Sequence, residues 1–212
     1  MSEEKSVLSK LASSLGHRDE VPNQELAKRL VIEDDKTAVK ELIDNLGYKN
    51  KNIQQDCIKV LYEIGESKPE LISEYADTFI SLLSHKNNRL QWGAMKAINT
   101  IVLEVPEKIF NNITQILDAA DRGSVITKDN AVKLLVKLCS VAKYSKDAFS
   151  LLNEQLIQSP PNQFPMYAEL ALTVVDGNTS SILIKTLESR LPMIKKESQK
   201  RRVEKVLRKL NS

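Results

Sequence analysis

Residues 90–101 read LQWGAMKAINTI, and at their centre Ala94 opens the five-residue pattern AMKAI. The same pattern begins as CIKVL at Cys57, AVKLL at Ala131 and AELAL at Ala168, so successive copies start 37 residues apart each time. Around Ala94, residues Leu90, Ala97, Ile98 and Ile101 stand at offsets of −4, +3, +4 and +7, on one side of a helix with about 3.6 residues per turn. This is a buried stripe centred on a small residue, where two helix axes can approach closely. A fixed period of this length predicts a chain of stacked copies of one supersecondary unit.

Working outward, the helix before each stripe repeats with the same period. Leu42, Ile43 and Leu46 become Phe79, Ile80 and Leu83, and then Ile116, Leu117 and Ala120. Pro69-Glu70 returns as Pro106-Glu107, proline being suited to a first helical turn whose amides have no intrahelical partner. Ser67 and Glu70 have the spacing of a capping box. The polar turns LGYKNKNI (Leu46–Ile53) and LSHKNNRL (Leu83–Leu90) are copies of each other, ending one helix and starting the next. Helices are predicted near 4–14, 22–32, 35–46, 51–64, 69–84, 88–103, 106–120, 125–142, 146–157, 163–175, 179–190 and 197–210. SPPNQFP (159–165) breaks the fourth unit, with Pro165 in the first turn of the next helix, and VEKVL at Val203 comes 35 residues after Ala168. A terminal unit is expected to be irregular because one of its faces meets water.

Composition agrees with this reading. The 212 residues are 42% hydrophobic, enough to bury a core, while six glycines, seven prolines and 5% aromatics favour helices over strands. Cys57 and Cys139 lie inside apolar helical patterns, where a thiol is a small hydrophobe. They fit a reducing compartment, and the expected localisation is cytoplasmic. MSEEKSVLSK at the start has neither a basic opening nor a long apolar region, and no stretch approaches the ~18 apolar residues of a membrane span.

The second helices resemble those of HEAT repeats, in which an apolar residue and an Arg precede a small residue, with Ala-Leu and a further apolar position following. LQWGAMKAINTI and IQQDCIKVLYEI (Ile53–Ile64) are similar to this pattern throughout, and TKDNAVKLLVKL (Thr127–Leu138) less so. Gln54, Gln91 and Lys128 stand where the family has Arg, and its turn Asp is absent beside Tyr48 and His85. The resemblance implies an all-α fold, a right-handed α-α superhelix (α-solenoid) of about five helix pairs. It also implies an atypical helical cap over 1–33 and units at approximately 34–66, 67–104, 105–143, 144–177 and 178–212 in one continuous domain. Armadillo units, which have a third short helix, stay open; tetratricopeptide repeats, with a period near 34, fit worse.

Catalytic chemistry has little to work with. His17 and His85 are the only histidines, neither has Cys or carboxylates at metal-ligand spacing, and HExxH, CxxC, GxSxG and phosphate-cradling glycine loops are absent. Glu33, Asp34 and Asp35 adjoin a helix start and read as dipole-stabilising caps. The expectation is therefore no enzyme, no catalytic residues, no metal, no cofactor and no small-molecule substrate.

With Ala94 facing the core, Lys96 lies at about 200° around the helix, and Arg89, Trp92 and Asn99 fall on the same outward side. Lys59, Lys96 and Lys133 share one repeat position, Lys137 is a turn beyond Lys133, Lys205 continues the series, and Gln55 and Tyr62 flank Lys59. The HEAT resemblance places these second helices on the concave surface. The lysine ladder reads either as a solvated face or as an electropositive groove for a protein or peptide of acidic character. Trp92 reads as an interface anchor or as packing against the next unit. The expected partner-binding residues are Lys59, Arg89, Trp92, Lys96, Lys133 and Lys137. Met166 and Leu170 occupy equivalent places in the fourth unit, and there they extend the groove or are covered by the last helices. Residues 195–209 hold eight basic side chains against two acidic ones, a net +6 in a chain of net +3. That concentration makes nucleic acid the alternative partner, in the manner of the HEAT-like proteins that repair alkylated bases.

Overall fold

The structure, a computed structural model, describes residues 6–211, and among them α-helices and short 3-10 turns are the only regular elements. They fall into two compact units, Met1–Ala131 and Val132–Ser212.

In the first unit the helices are α1 (Val21–Glu33), α2 (Lys36–Asp44), α3 (Lys51–Ser67), α4 (Ala76–Leu82), α5 (Asn88–Ile101), α6 (Pro106–Asn111) and α7 (Ile113–Arg122), and the unit closes within α8 (Val125–Cys139). Their starts are set locally. Asp35 accepts the Ala38 amide at 2.9 Å to begin α2, Asn50 accepts from Asn52 at 2.9 Å to begin α3, and Asn87 accepts from Arg89 at 3.0 Å to begin α5. Each side-chain oxygen satisfies an amide that has no intrahelical partner. The carboxylate run at 33–35 thus contains a true cap, while Asp34 ends α1 at φ 53° and pairs with Lys68.

α3 packs on both α1 and α5, and α5 packs on α4. Cys57, Ile58, Leu61 and Ile64 of α3 and Leu90, Ala94, Ala97, Ile98 and Ile101 of α5 are buried between them. Two glycines mark close approaches, Gly93 beside the repeated Ala94 and Gly65 two turns beyond Cys57. A Cβ on Gly93 would come within 2.8 Å of Ile58, and one on Gly65 within 2.1 Å of Thr100 Oγ1. Cys57, Ala94 and Ala131 are each fully buried, as is Ala168 in the second unit.

Three predicted helices are shorter or broken, each where a polar side chain competes with the backbone. The helix near 4–14 begins outside the described residues; within them only Val7–Lys10 forms a 3-10 turn, beside a bond from Ser9 Oγ to Ser6 O at 2.8 Å. The stretch 69–84 opens as two 3-10 turns, Pro69–Leu71 and Ser73–Tyr75, with Ser73 Oγ donating to Glu70 O at 3.3 Å, before α4 starts. Ser67 ends α3 and caps nothing. The stretch 106–120 divides at Asn112, whose Nδ2 donates to Lys108 O at 2.9 Å.

The second unit contains the remainder of α8, α9 (Ser145–Gln158), α10 (Phe164–Leu172), α11 (Ser180–Arg190) and α12 (Glu197–Leu210). α10 packs on α9 and α12, and α11 on α9 and α12, around Phe149, Leu152, Leu156, Tyr167, Leu183, Leu187, Val203 and Val206. Pro165 lies in the first turn of α10. Arg190 holds the SPPNQFP break in place by donating to the carbonyls of Ile157 and Ser159 while its guanidinium lies 5.1 Å from the Phe164 ring centre.

Candidate partner-binding face on α3 and α5

One turn of α3 and the facing turns of α5 assemble the site. Tyr62 is buried on α3, and its ring lies 5.9 Å from that of Trp92 on α5 at an interplanar angle of 45°. Lys96 Nζ stands 4.1 Å from the centre of the Tyr62 ring and Lys59 Nζ 4.9 Å from it, while the Arg89 guanidinium lies 5.9 Å from the Trp92 ring. Cations over aromatic faces are attracted by the ring quadrupole. Trp92 is half-buried and Tyr62 supports its edge. Four of the six expected residues, Lys59, Arg89, Trp92 and Lys96, are thus brought together.

Their electrostatics differ from the expected open ladder. Lys59 is only 6% exposed, and its ammonium lies 2.7 Å from Glu63 and 3.0 Å from Glu20. Burial opposes its charge, but hydrogen bonds to Glu63 and Glu20 outweigh that and raise its pKa above the ordinary lysine value. Lys96 pairs with Glu66 at 2.7 Å and lies 3.9 Å from Glu63. Arg89 pairs with Glu20. Three cations meet three carboxylates, so the face is a neutral lattice of ion pairs built around two aromatic rings.

The sequence reading misplaced two residues. Lys59 is buried because α1 packs on α3 and Glu20, at the α1 start, reaches over it. Asn99 is buried too, its amide donating to Asn130 Oδ1 at 3.3 Å. The pairing of Lys59 with Glu63 was visible as an i,i+4 spacing of opposite charges. Glu20 had no such signal, since it lies 69 residues from Arg89.

Lys133 and Lys137 lie one turn apart on α8 within the second unit, Lys133 exposed and Lys137 half-buried. The basic terminal helix is partly neutralised: Arg202 binds Glu169 through two bonds of 2.8 and 2.6 Å. That contact brings α12 against the face of α10 that also carries Met166 and Leu170, both of which are half-buried. Cys57 and Cys139 are unpaired, and burial pushes their thiols up to about 12 and about 11.

Among the described residues no group of His, Cys, Asp or Glu is placed to hold a metal ion, and no helix is long and apolar enough to cross a membrane. No family model matches the chain, and no curated protein matches it. Solved structures do. Two engineered proteins superpose with a TM-score of 0.60 each, at 15% and 18% identity, covering 96% of this chain and 95% and 98% of their own. A designed armadillo repeat protein superposes at a TM-score of 0.60 and 17% identity, over 97% of this chain and 91% of its own. The chain therefore has a HEAT/armadillo-like fold, an all-α solenoid of helical repeats.

Proposed function

We propose that the chain is a non-catalytic scaffold that binds a protein or peptide along the face of α3 and α5 in its first unit. The observation that carries this reading is Trp92, half-buried and held against Tyr62, with Arg89 over its own ring and Lys96 over that of Tyr62. Aromatic and arginine side chains preorganised on rigid helices supply most of the energy at protein interfaces.

The charge balance refines the kind of partner. Lys96 and Arg89 are satisfied by Glu66 and Glu20, which are themselves about half-exposed. An acidic segment would bind by exchanging its carboxylates for these, while an apolar side chain covered Trp92. Such a partner gains from the aromatic contact and near-breaks even on charge. Lys59 is too enclosed to touch it and acts by positioning Tyr62 and Glu20.

The test is quantitative affinity capture from the native cell with the intact chain and with Trp92→Ala. A captured protein whose affinity falls by roughly tenfold or more with Trp92→Ala, at unchanged helicity by circular dichroism, is the expected result. Identical captured sets and affinities would remove this face from the site. Nucleic acid, the alternative partner, is separated by titrating duplex DNA at two salt concentrations, since counterion release makes such affinity fall steeply with salt.

A further inference from the structure

The two copied turns, Leu46–Ile53 and Leu83–Leu90, lie beside each other in the first unit and enclose a recess of about 690 Å³. Lys49, Lys51 and Lys86 line it, all exposed and none ion-paired among the described residues, and no carboxylate lines it. This contrasts with the α3–α5 face, where every cation has a carboxylate partner. Two carboxamides complete the lining. Asn87 uses its Oδ1 to cap α5, which fixes Nδ2 as the free end, and that nitrogen is buried without a partner. Gln54 is only 8% exposed and its side chain has no hydrogen-bond partner among the described residues.

The repeat supplies an internal comparison for Gln54. Its counterpart 37 positions on, Gln91, donates from Nε2 to Leu83 O at 2.8 Å and so closes the turn before α5. Gln54 makes no such bond to its own turn and faces the recess instead. Its amide is therefore left open to whatever enters the recess. His85 points the same way: its Nδ1 accepts the Asn87 amide at 2.9 Å, so the neutral ring presents Nε2–H as a donor. The starts of α3 and α5, with their positive dipole ends, both adjoin the recess.

We propose that this recess binds a phosphomonoester. The lining offers converging donors and positive charge with no acid to compete, and a phosphomonoester brings a charge of about −1.5 to −2 and three acceptor oxygens on one small group. A phosphodiester backbone spreads single charges along a track, and a carboxylate offers two oxygens and one charge; the recess concentrates its donors instead. The phosphate is carried either by a free small molecule or by a phosphorylated side chain of a partner protein. The site is separate from Trp92 and does not depend on it.

The test is nuclear magnetic resonance titration of the intact 15N-labelled chain with O-phosphoserine, at ionic strength held constant with chloride. Saturable shifts of the Gln54 and Asn87 side-chain amides are expected. Gln54→Leu should weaken them by about tenfold or more, while leaving thermal stability unchanged, because that amide bonds no other part of the chain. Gln91→Leu, in contrast, should lower stability and leave the titration intact. A capped Gly-phosphoserine-Gly peptide binding at least about tenfold more tightly than O-phosphoserine assigns the source to a partner protein, and equal affinity assigns it to a free phosphomonoester. The proposal is overturned if chloride alone reproduces the shifts, if an unphosphorylated Gly-Glu-Gly peptide matches them, or if a single-stranded oligonucleotide without terminal phosphate binds more tightly than either phosphoserine probe.

Discussion

Glu20, at the start of α1, bridges Arg89 in the first turn of α5 and Lys59 in the middle of α3. One carboxylate therefore connects the start of α1 to two successive second helices. Glu20→Gln would leave Arg89 without a partner and Lys59 with Glu63 alone. We expect a loss of about 1 kcal/mol in denaturant unfolding, against less than about 0.5 kcal/mol for Glu66→Gln, whose pair with Lys96 is more exposed. Equal losses for the two variants would show that enclosure of Lys59 does not matter.

The raised pKa of Lys59 carries a sign. Because the folded value lies above the ordinary 10.5, its stabilising contribution is complete below pH 10.5 and is lost as pH rises through the folded value. Tyr62, raised by burial, acts in the same direction. Unfolding free energy measured between pH 9 and 12 should fall less steeply for Lys59→Met than for the natural chain. Glu169 has the opposite sense: Arg202 holds it below its ordinary 4.5, so its contribution is present above that value and is lost as pH falls through the folded one. Glu169→Gln should flatten that acid limb.

Gly65 has the least room for a side chain of any glycine in the first unit. Thr100 Oγ1, which an added Cβ would meet at 2.1 Å, is itself fixed by a 2.7 Å bond to Ala97 O. Alanine gains about 1 kcal/mol in helix propensity, but forcing apart packed helices costs about 1–3 kcal/mol. Gly65→Ala should therefore lower the melting temperature, and Thr100→Ala should recover part of the loss in the double variant. Additive effects would place the strain elsewhere.

The thiolate is the reactive form of cysteine, so thiols pushed up to about 12 and about 11 should be inert in the folded chain. With iodoacetamide at pH 8, Cys139, half-buried, should label slowly and Cys57 only at the rate of global unfolding. Mass spectrometry of peptides over time measures both. Rapid labelling of Cys57 would mean that α3 opens locally.

The repeat was legible because burying a helix face leaves a periodic trace, and every stripe residue around Ala94 is buried as its spacing requires. What failed to show was the three-dimensional company of the polar residues. Lys59 and Lys96 occupy the same repeat position, yet Lys59 is enclosed by Glu20 and Lys96 pairs with Glu66 instead, because α1 packs on α3. Helix breaks at Asn112 and Ser73 were equally hidden, since the apolar spacing continues across them while the side chains bond their own backbone. Gln54 and Gln91 look interchangeable in sequence and differ only in which neighbour each one meets.

The matching asparagine caps of α3 and α5 make the chain length adjustable in discrete steps. Excising residues 51–87 would join Asn50 directly to Asn88, putting one cap in front of the other's helix with the apolar register unbroken. Removing about two residues from within α5 instead would turn the stripe beyond the cut by about 200° toward water. A whole helix pair is thus the step by which the array lengthens or shortens without a new joint having to be built.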